Sequence, residues 1–135
     1  MMIKKKILNP DLVRRISGGF SFIPHRFLSD GFLASLQQKE ILLYFFLVIA
    51  SDRHGLSFYS YDAICTSLEM DLDQYIKARD ALIDKNLIAF DGTVFQVLEL
   101  PPKPVSSPPE KQAQFKPTKD QEAIARLINQ SFKRI

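Results

Sequence analysis

Two short apolar runs around Asp91-Gly92 constrain the fold more than any other feature of the sequence. Residues 87–90 (Leu-Ile-Ala-Phe) and 93–98 (Thr-Val-Phe-Gln-Val-Leu) flank this dipeptide. An Asp-Gly pair between apolar runs is the strongest short-range signal for a β-hairpin with a two-residue turn. The sequence therefore predicts a β-hairpin in the second half of the chain.

A capped helix precedes the hairpin. Asp71 and Gln74 stand three residues apart and form a D-x-x-Q variant of the capping box, which predicts a helix that begins at residue 72. We expect this helix to run to about Lys85. Asn86, a residue that tolerates a left-handed backbone, suits its exit. The hairpin thus follows the helix with almost no connection.

Two further helices and a strand are predicted upstream. The longest apolar run, residues 41–50, has ten residues, fewer than the roughly 18 that a membrane-spanning helix needs. It predicts a buried helix from about Gln38 to Ser51. Alternation over residues 56–59 predicts a short strand, and Ser60 is placed to cap a second helix over residues 61–68. These elements predict an α+β, mainly helical fold in the order helix, strand, helix, turn, helix, hairpin.

Proline marks the end of this central region. Six of the eight prolines fall within residues 101–117, which predicts an extended, semi-rigid spacer. At the other end, Asn9-Pro10 predicts the start of a short basic helix that stops at Gly18-Gly19 and has three apolar residues on one side (Leu12, Val13 and Ile16). The chain therefore divides into a basic arm (1–19), a central domain (20–100), a proline-rich linker (101–117) and a C-terminal amphipathic helix (118–135).

The order of these elements resembles that of the winged helix-turn-helix domain. The matching residues are 42–49 as the first helix, 61–68 as the second and 72–85 as the candidate recognition helix. Lys85-Asn86-Leu87-Ile88 is similar to the Lys-Gly-Leu-Ile that closes this helix in many winged-helix proteins. Residues 20–100 look most like the winged-helix domains of plasmid replication initiators, primosomal proteins and related helix-turn-helix proteins of bacterial mobile elements. The resemblance implies duplex-DNA binding by a helix laid in the major groove.

Gln74 and Lys77 are the candidates for contacts with DNA bases, because glutamine pairs with adenine and lysine with guanine or a phosphate. Tyr61 is a candidate phosphate contact, with a role in the core as its alternative. The exposed face of the third helix sets one lysine against three aspartates (Asp73, Asp80 and Asp84). Phosphates would repel such a face. Base contacts by this helix therefore need an attractive term from elsewhere in the chain.

Arg79 is an exception on the third helix, since a helical wheel places it near the middle of the apolar face. We expect its stem to pack there while its head reaches water or an acid such as Asp62 or Glu69. This predicts a structural role.

Charge is segregated along the chain, and the segregation decides where attraction to DNA can originate. The net charge of +3 consists of +4 over residues 1–36, −5 over residues 37–100 and +4 over residues 101–135. Attraction to phosphate must therefore come from the flanks. The candidate residues of the arm are Lys4, Lys5, Lys6, Arg14 and Arg15, which would lie along the phosphate backbone. A lysine run that serves only as a solubilising tail is the alternative.

The C-terminal segment carries an apolar stripe at helical spacing. Thr118 and Gln121 form another capping box, and the predicted partner-binding stripe consists of Ile124, Leu127, Ile128 and Phe132. A helix of about sixteen residues is marginal alone in water, so this stripe should be buried against something. The candidates are the chain's own domain, a second copy in a homodimer, or a groove on a protein partner.

The sequence predicts neither an enzyme nor a cofactor, metal or small-molecule substrate. His25 and His54 do not form a ligand-spaced pair, and the single cysteine, Cys65, allows no metal cluster of cysteines. Gly18-Gly19 is not followed by the Gly-Lys-Ser/Thr of a phosphate-binding loop, and no nucleophile has a paired base. The basic N-terminus lacks the apolar run of a secretory signal. We therefore expect a cytoplasmic protein without a membrane partner.

Two functions remain as hypotheses. The first is a non-enzymatic winged-helix protein that binds duplex DNA, as an accessory or regulatory factor in bacterial replication, transcription or mobile-element biology. The second is a winged-helix adaptor in which the acidic face of the third helix docks on a basic surface of a protein partner. The basic flanks favour the first hypothesis, and the negative central region favours the second.

Overall fold

Residues 3–105, the part of the chain that the computed structural model describes, contain four α-helices and a three-stranded antiparallel sheet. The elements are α1 (Arg26–Ser29), α2 (Gln38–Ala50), β1 (Leu56–Ser57), α3 (Tyr61–Leu68), α4 (Leu72–Asp84), β2 (Ile88–Phe90) and β3 (Phe95–Val97). Strand β3 lies between β1 and β2 in the sheet. The predicted α+β class is confirmed.

Helix α2 is the centre of the core, as its apolar sequence predicts. Leu43 and Leu47 have no exposed surface, and α4 packs along α2 with the buried residues Tyr75, Ala78 and Leu82. The sheet covers the same core with residues such as Ile88 and Phe95. Helix α1 and the 3-10 turn Leu33–Ser35 close one side of the core, where the Phe27 ring stacks on the Tyr44 ring with 4.9 Å between their centroids.

The helix caps predicted for α3 and α4 are both present. The Ser60 hydroxyl accepts a hydrogen bond from the backbone N–H of Ala63 at the start of α3. At the start of α4, the Asp71 carboxylate accepts from the N–H of Gln74 at 2.8 Å, and the Gln74 side-chain oxygen accepts from the N–H of Asp71 at 3.0 Å. This reciprocal pair satisfies two backbone donors that the first turn of a helix otherwise leaves without partners.

One residue in the left-handed backbone conformation follows each of the helices α3 and α4. Asn86 has φ +57°, as predicted for the residue after α4. Glu69 has φ +52° at the end of α3, which the sequence did not indicate because glutamate is not a typical left-handed residue. Together with the Asp71 cap, it gives a connection of three residues between α3 and α4.

The hairpin is present, but its tip is not the predicted Asp91-Gly92. Phe90 pairs with Phe95, and the N–H of Asp91 donates to the backbone oxygen of Val94 at 3.3 Å, so Gly92 and Thr93 form the tip of the 91–94 loop. The Asp91 carboxylate accepts hydrogen bonds from the N–H groups of Thr93 and Val94 at 2.8 and 2.7 Å, and these bonds lower the pKa of Asp91. The carboxylate organises the loop in place of a tight Asp-Gly turn.

The predicted basic helix of the arm is also wrong. The Asn9 side chain caps a turn as expected, but only a single 3-10 turn, Pro10–Leu12, follows. Val13 is already extended, and the apolar side chains of this segment are more than half exposed (Leu12, Val13 and Ile16). A short helix without a buried face does not gain enough to form, so residues 13–25 run without regular structure.

The predicted C-terminal helix and residues 106–117 of the linker lie outside the described residues. The same holds for its apolar stripe (Ile124, Leu127, Ile128 and Phe132).

Candidate functional site

A concave surface lies between the segment that leads into α3, one side of α4 and the hairpin loop. We call it the aromatic groove, and its volume is about 420 Å³. It is lined by Phe58, Tyr59, Ser60, Tyr61, Leu72, Tyr75, Ile76, Arg79, Phe90, Gly92 and Thr93. Residues from three separate parts of the chain thus form one concave surface.

Large apolar side chains of the aromatic groove are exposed to solvent. Phe58 is 71% exposed, Tyr61 52% and Leu72 50%. Single exposed apolar residues are common on protein surfaces, whereas several in one concavity indicate a binding surface. Tyr61, a predicted phosphate contact, belongs to this groove.

Arg79 lies on the floor of the aromatic groove. Its guanidinium carbon is 5.6 Å from the centroid of the Tyr75 ring and 5.5 Å from that of the Phe90 ring, both within the range of cation–π contacts. The guanidinium donates to the Asp80 carboxylate at 3.1 Å. The predicted partners Asp62 and Glu69 are therefore wrong, because the two rings hold the arginine head beside the next residue of its own helix.

Acidic residues stand beside the lining of the aromatic groove in the sequence. Asp62 follows Tyr61, Asp73 follows Leu72, and Asp91 precedes Gly92, and all three aspartates are exposed. Of the three basic residues between positions 58 and 93, Arg79 and Lys85 are ion-paired within the domain and Lys77 is exposed. This stretch contains seven acidic residues against those three, so its net charge is −4.

Gln74 and Lys77, the predicted base-contacting residues, line neither this groove nor the cleft described next. The side-chain oxygen of Gln74 is occupied by the N–H of Asp71 in the capping box. A bidentate contact with adenine uses that oxygen together with the amide NH₂, so the oxygen would have to accept a second hydrogen bond while the cap fixes the side chain. Lys77 is exposed on a face of α4 that also carries Asp73.

A second and larger concavity, of about 1400 Å³, lies between the arm and the domain. We call it the arm cleft. The arm supplies Arg14 and Arg15, and the turn between α2 and β1 supplies Arg53 and His54. Residues 97–100 complete the lining. The basic pair in this turn was missed at the sequence level, since Asp52-Arg53-His54-Gly55 indicates only a turn.

Two other charged residues of the arm cleft, Arg26 and Asp52, have structural partners, and Glu99 adds an exposed carboxylate to its lining. Arg26 donates to the backbone oxygens of Leu100 and Pro102 and to the Asp30 carboxylate. The Asp52 carboxylate accepts from the N–H groups of Leu56 and His54, bonds that lower its pKa. Arg14, Arg15 and Arg53 are all exposed. They are therefore the cations of this cleft that are best placed for an external anion.

The two concavities lie at opposite ends of the sheet. Ser57 pairs with Phe95 and Leu56 with Gln96, so Phe58 and the hairpin loop leave the sheet at one end while Gly55 and Leu98 leave it at the other. The aromatic groove occupies the first end and the arm cleft the second. The structure thus places Arg14 and Arg15 in the lining of the same cleft as Arg53, at the end of the sheet opposite to the N-terminal half of α4. Lys4, Lys5 and Lys6 are exposed and line neither concavity.

The remaining candidate groups have ordinary structural surroundings. Burial raises the pKa of the Cys65 thiol, whose sulfur lies 3.9 Å from the backbone oxygen of Asp71. Within residues 3–105, no three His, Cys, Asp or Glu side chains are grouped so as to hold a metal ion. No helix in that range combines the length and the apolar character needed to cross a bilayer.

No protein-family model matches the chain, and no curated protein or solved structure matches it significantly. The functional assignment therefore depends on the geometry and charge of these two concavities.

Proposed function

We propose that this chain is a non-enzymatic DNA-binding protein of the winged-helix type. The support for the architecture is the element order α2-β1-α3-α4-β2-β3, with three residues between α3 and α4 and the sheet order β1-β3-β2. A three-helix unit closed by a β-hairpin is the arrangement that the sequence resemblance implies. Proteins of this kind commonly present a helix to the major groove of DNA.

The charge distribution favours DNA contact through the arm cleft. Phosphate attraction dominates the affinity of most DNA-binding proteins, and the side chains that supply it here are Arg14, Arg15 and Arg53. The convergence of these three arginines from two distant segments is the observation that carries the proposal. Lys4, Lys5 and Lys6 of the same arm extend the positive charge along the chain. Contacts of this type position a protein on the backbone and carry little sequence information.

A titration of a fluorescently labelled duplex at several salt concentrations tests this contact. We expect the triple variant Arg14→Ala/Arg15→Ala/Arg53→Ala to bind more weakly and to reduce the slope of log K against log [salt] by about 3, since each lost phosphate contact removes about 1. The three side chains are exposed, so the variant should keep the fold.

Lys77→Ala is the matched control, because it removes one exposed cation from α4. We expect it to leave both the affinity and the salt slope close to those of the native chain. The contact through the arm cleft is excluded if the triple variant binds like the native chain, or if the native chain does not bind at low salt. A loss of about 1–3 kcal/mol in Lys77→Ala would instead indicate base contacts by α4.

The acidic residues of α4 favour a second candidate function, a protein adaptor that docks on a basic surface. Asp73 is exposed and follows Leu72 of the aromatic groove, and Asp80, two helical turns further along, is partly exposed and paired with Arg79. The acidic side chains of α4 would attract a basic surface on a protein partner, and they would repel DNA phosphates.

Charge reversal at α4 separates the two functions. If DNA binds through the arm cleft, we expect Asp73→Lys/Asp80→Lys, which changes the local charge from −2 to +2, to leave the affinity for duplex DNA close to that of the native chain, as Lys77→Ala does. Tighter binding that fades at high salt would instead place α4 against the DNA. An unchanged DNA affinity, combined with loss of a purified protein partner, would favour the adaptor.

A further inference from the structure

The aromatic groove exposes large apolar side chains of a kind that a folded chain usually buries. Phe58, Tyr61 and Leu72 are each at least half exposed although they line one concavity. The groove has room for a few side chains at about 420 Å³. A segment that covered it would remove these rings from water and gain the free energy of their burial. We propose that residues 118–135 of the same chain dock in the aromatic groove.

Hydrophobic complementarity is the first argument. The segment carries apolar residues at helical spacing, Ile124, Leu127, Ile128 and Phe132. An amphipathic helix binds a groove with such a stripe, at positions i, i+3, i+4 and i+8. Because a helix of this length is marginal alone, docking supplies the burial that it needs.

Charge complementarity is the second argument and it favours this occupant over an acidic one. Residues 118–135 contain four basic side chains (Lys119, Arg126, Lys133 and Arg134) against two acidic ones. The exposed charged chain neighbours of the groove lining include three aspartates (Asp62, Asp73 and Asp91) against one lysine, Lys77, which follows Ile76. Opposite charges around an apolar contact fix its orientation and exclude competing partners.

The length of the connecting chain is the third argument. Arg26 holds the backbone at Leu100 and Pro102, at the end of the sheet opposite to the groove. The fifteen residues 103–117 separate this anchor from the segment. A proline-rich chain of that length extends about 46 Å at about 3.1 Å per residue. A domain of about 100 residues has a radius of gyration near 13 Å, so the linker spans it with length to spare.

A single tryptophan introduced at position 132 tests the proposal in the full chain, because the native sequence contains none. In Phe132→Trp we expect blue-shifted emission and weak quenching by acrylamide, as for a buried indole. Adding Leu72→Glu should lower the docked fraction by about tenfold or more, since it puts a charge into the apolar contact, and should restore the emission of an exposed indole. Ile49→Glu, at a more exposed apolar position that lines the arm cleft, should have no effect.

The proposal is overturned if the Phe132→Trp chain shows the emission of an exposed indole, or if Leu72→Glu leaves a buried emission unchanged. Docking within one chain also requires the emission to be constant over a dilution series in which light scattering reports a monomer. Loss of the buried signal on dilution would assign the groove to a second copy and reject docking in cis.

A measurement on the unaltered chain guards against disturbance by the tryptophan. A zero-length carbodiimide joins lysine amines to carboxylates that touch them. We expect intramolecular cross-links from Lys119 or Lys133 to Asp62, Asp73 or Asp91, identified by mass spectrometry of the monomer band. If cross-links from these lysines go elsewhere, the groove is not the docking site. None of these readouts depends on DNA, so the outcome is independent of the proposed function.

Discussion

Replacing Lys85 by methionine is expected to lower the free energy of unfolding by about 3–5 kcal/mol, because it leaves a buried carboxylate without its partner. Lys85 Nζ lies 2.7 Å from Glu40 Oε1, and the two side chains are only 10% and 8% exposed. The same ammonium group donates to the backbone oxygen of Ser35 at 2.9 Å. The ion pair thus ties the end of α4 to the start of α2. Urea denaturation followed by circular dichroism measures the loss.

The double variant Glu40→Leu/Lys85→Met is the control, since replacing a buried ion pair by apolar residues of similar size is often close to neutral. We expect it to regain most of the stability lost in Lys85→Met, with a remainder for the Ser35 oxygen. A loss below about 1 kcal/mol in the single variant would mean that the pair behaves like a solvated surface ion pair.

Gly55→Ala is expected to destabilise the domain by about 2–4 kcal/mol, from a left-handed backbone and from overpacking. Gly55 has φ +81°, and a Cβ atom there would lie 2.5 Å from the backbone oxygen of Val97. The strand cannot yield easily, because the N–H of Val97 donates to the oxygen of Gly55 at 2.8 Å. Thermal and urea unfolding of the variant measure this effect.

Gly92→Ala separates the penalty of the left-handed backbone from that of overpacking. Gly92 has φ +100°, but a Cβ atom there would meet nothing within 4 Å. It should therefore cost only the conformational penalty, about 1–2 kcal/mol. Equal losses in the two variants would show that the close approach to Val97 contributes nothing.

Local sequence signals predicted the elements that local interactions control. The Ser60 cap, the Asp71–Gln74 box and the left-handed Asn86 each depend on residues within a few positions, and all are present. Helix α2 was predictable because its apolar run must be buried in any fold.

The two errors differ in origin. The hairpin turn is shifted from Asp91-Gly92 because the Asp91 carboxylate accepts from the N–H groups of Thr93 and Val94, a local choice that an Asp-Gly pair does not reveal. The arm lacks its helix because no surface covers Leu12 and Ile16, and this depends on tertiary packing.

The candidate site was predictable only in part, because a site depends on which distant segments meet. The basic character of Arg14 and Arg15 was evident, but their neighbour Arg53 lies 38 residues further along the chain. The exposure of Phe58 and Tyr61 in one groove is visible only once α4 and the hairpin loop are in place. The Lys85–Glu40 pair joins positions 45 residues apart and leaves no sequence signal.

The contact of Arg26 with the backbone at Leu100 and Pro102 has a consequence for engineering. It places the entry and exit of the folded unit side by side, which is the arrangement that domain insertion and circular permutation exploit. A short peptide joining residues 24 and 103 would make a permuted chain, with new termini at the solvent-facing 91–94 loop. The unit could equally be inserted into a surface loop of a host enzyme, because its adjacent termini would not force the two ends of that loop apart.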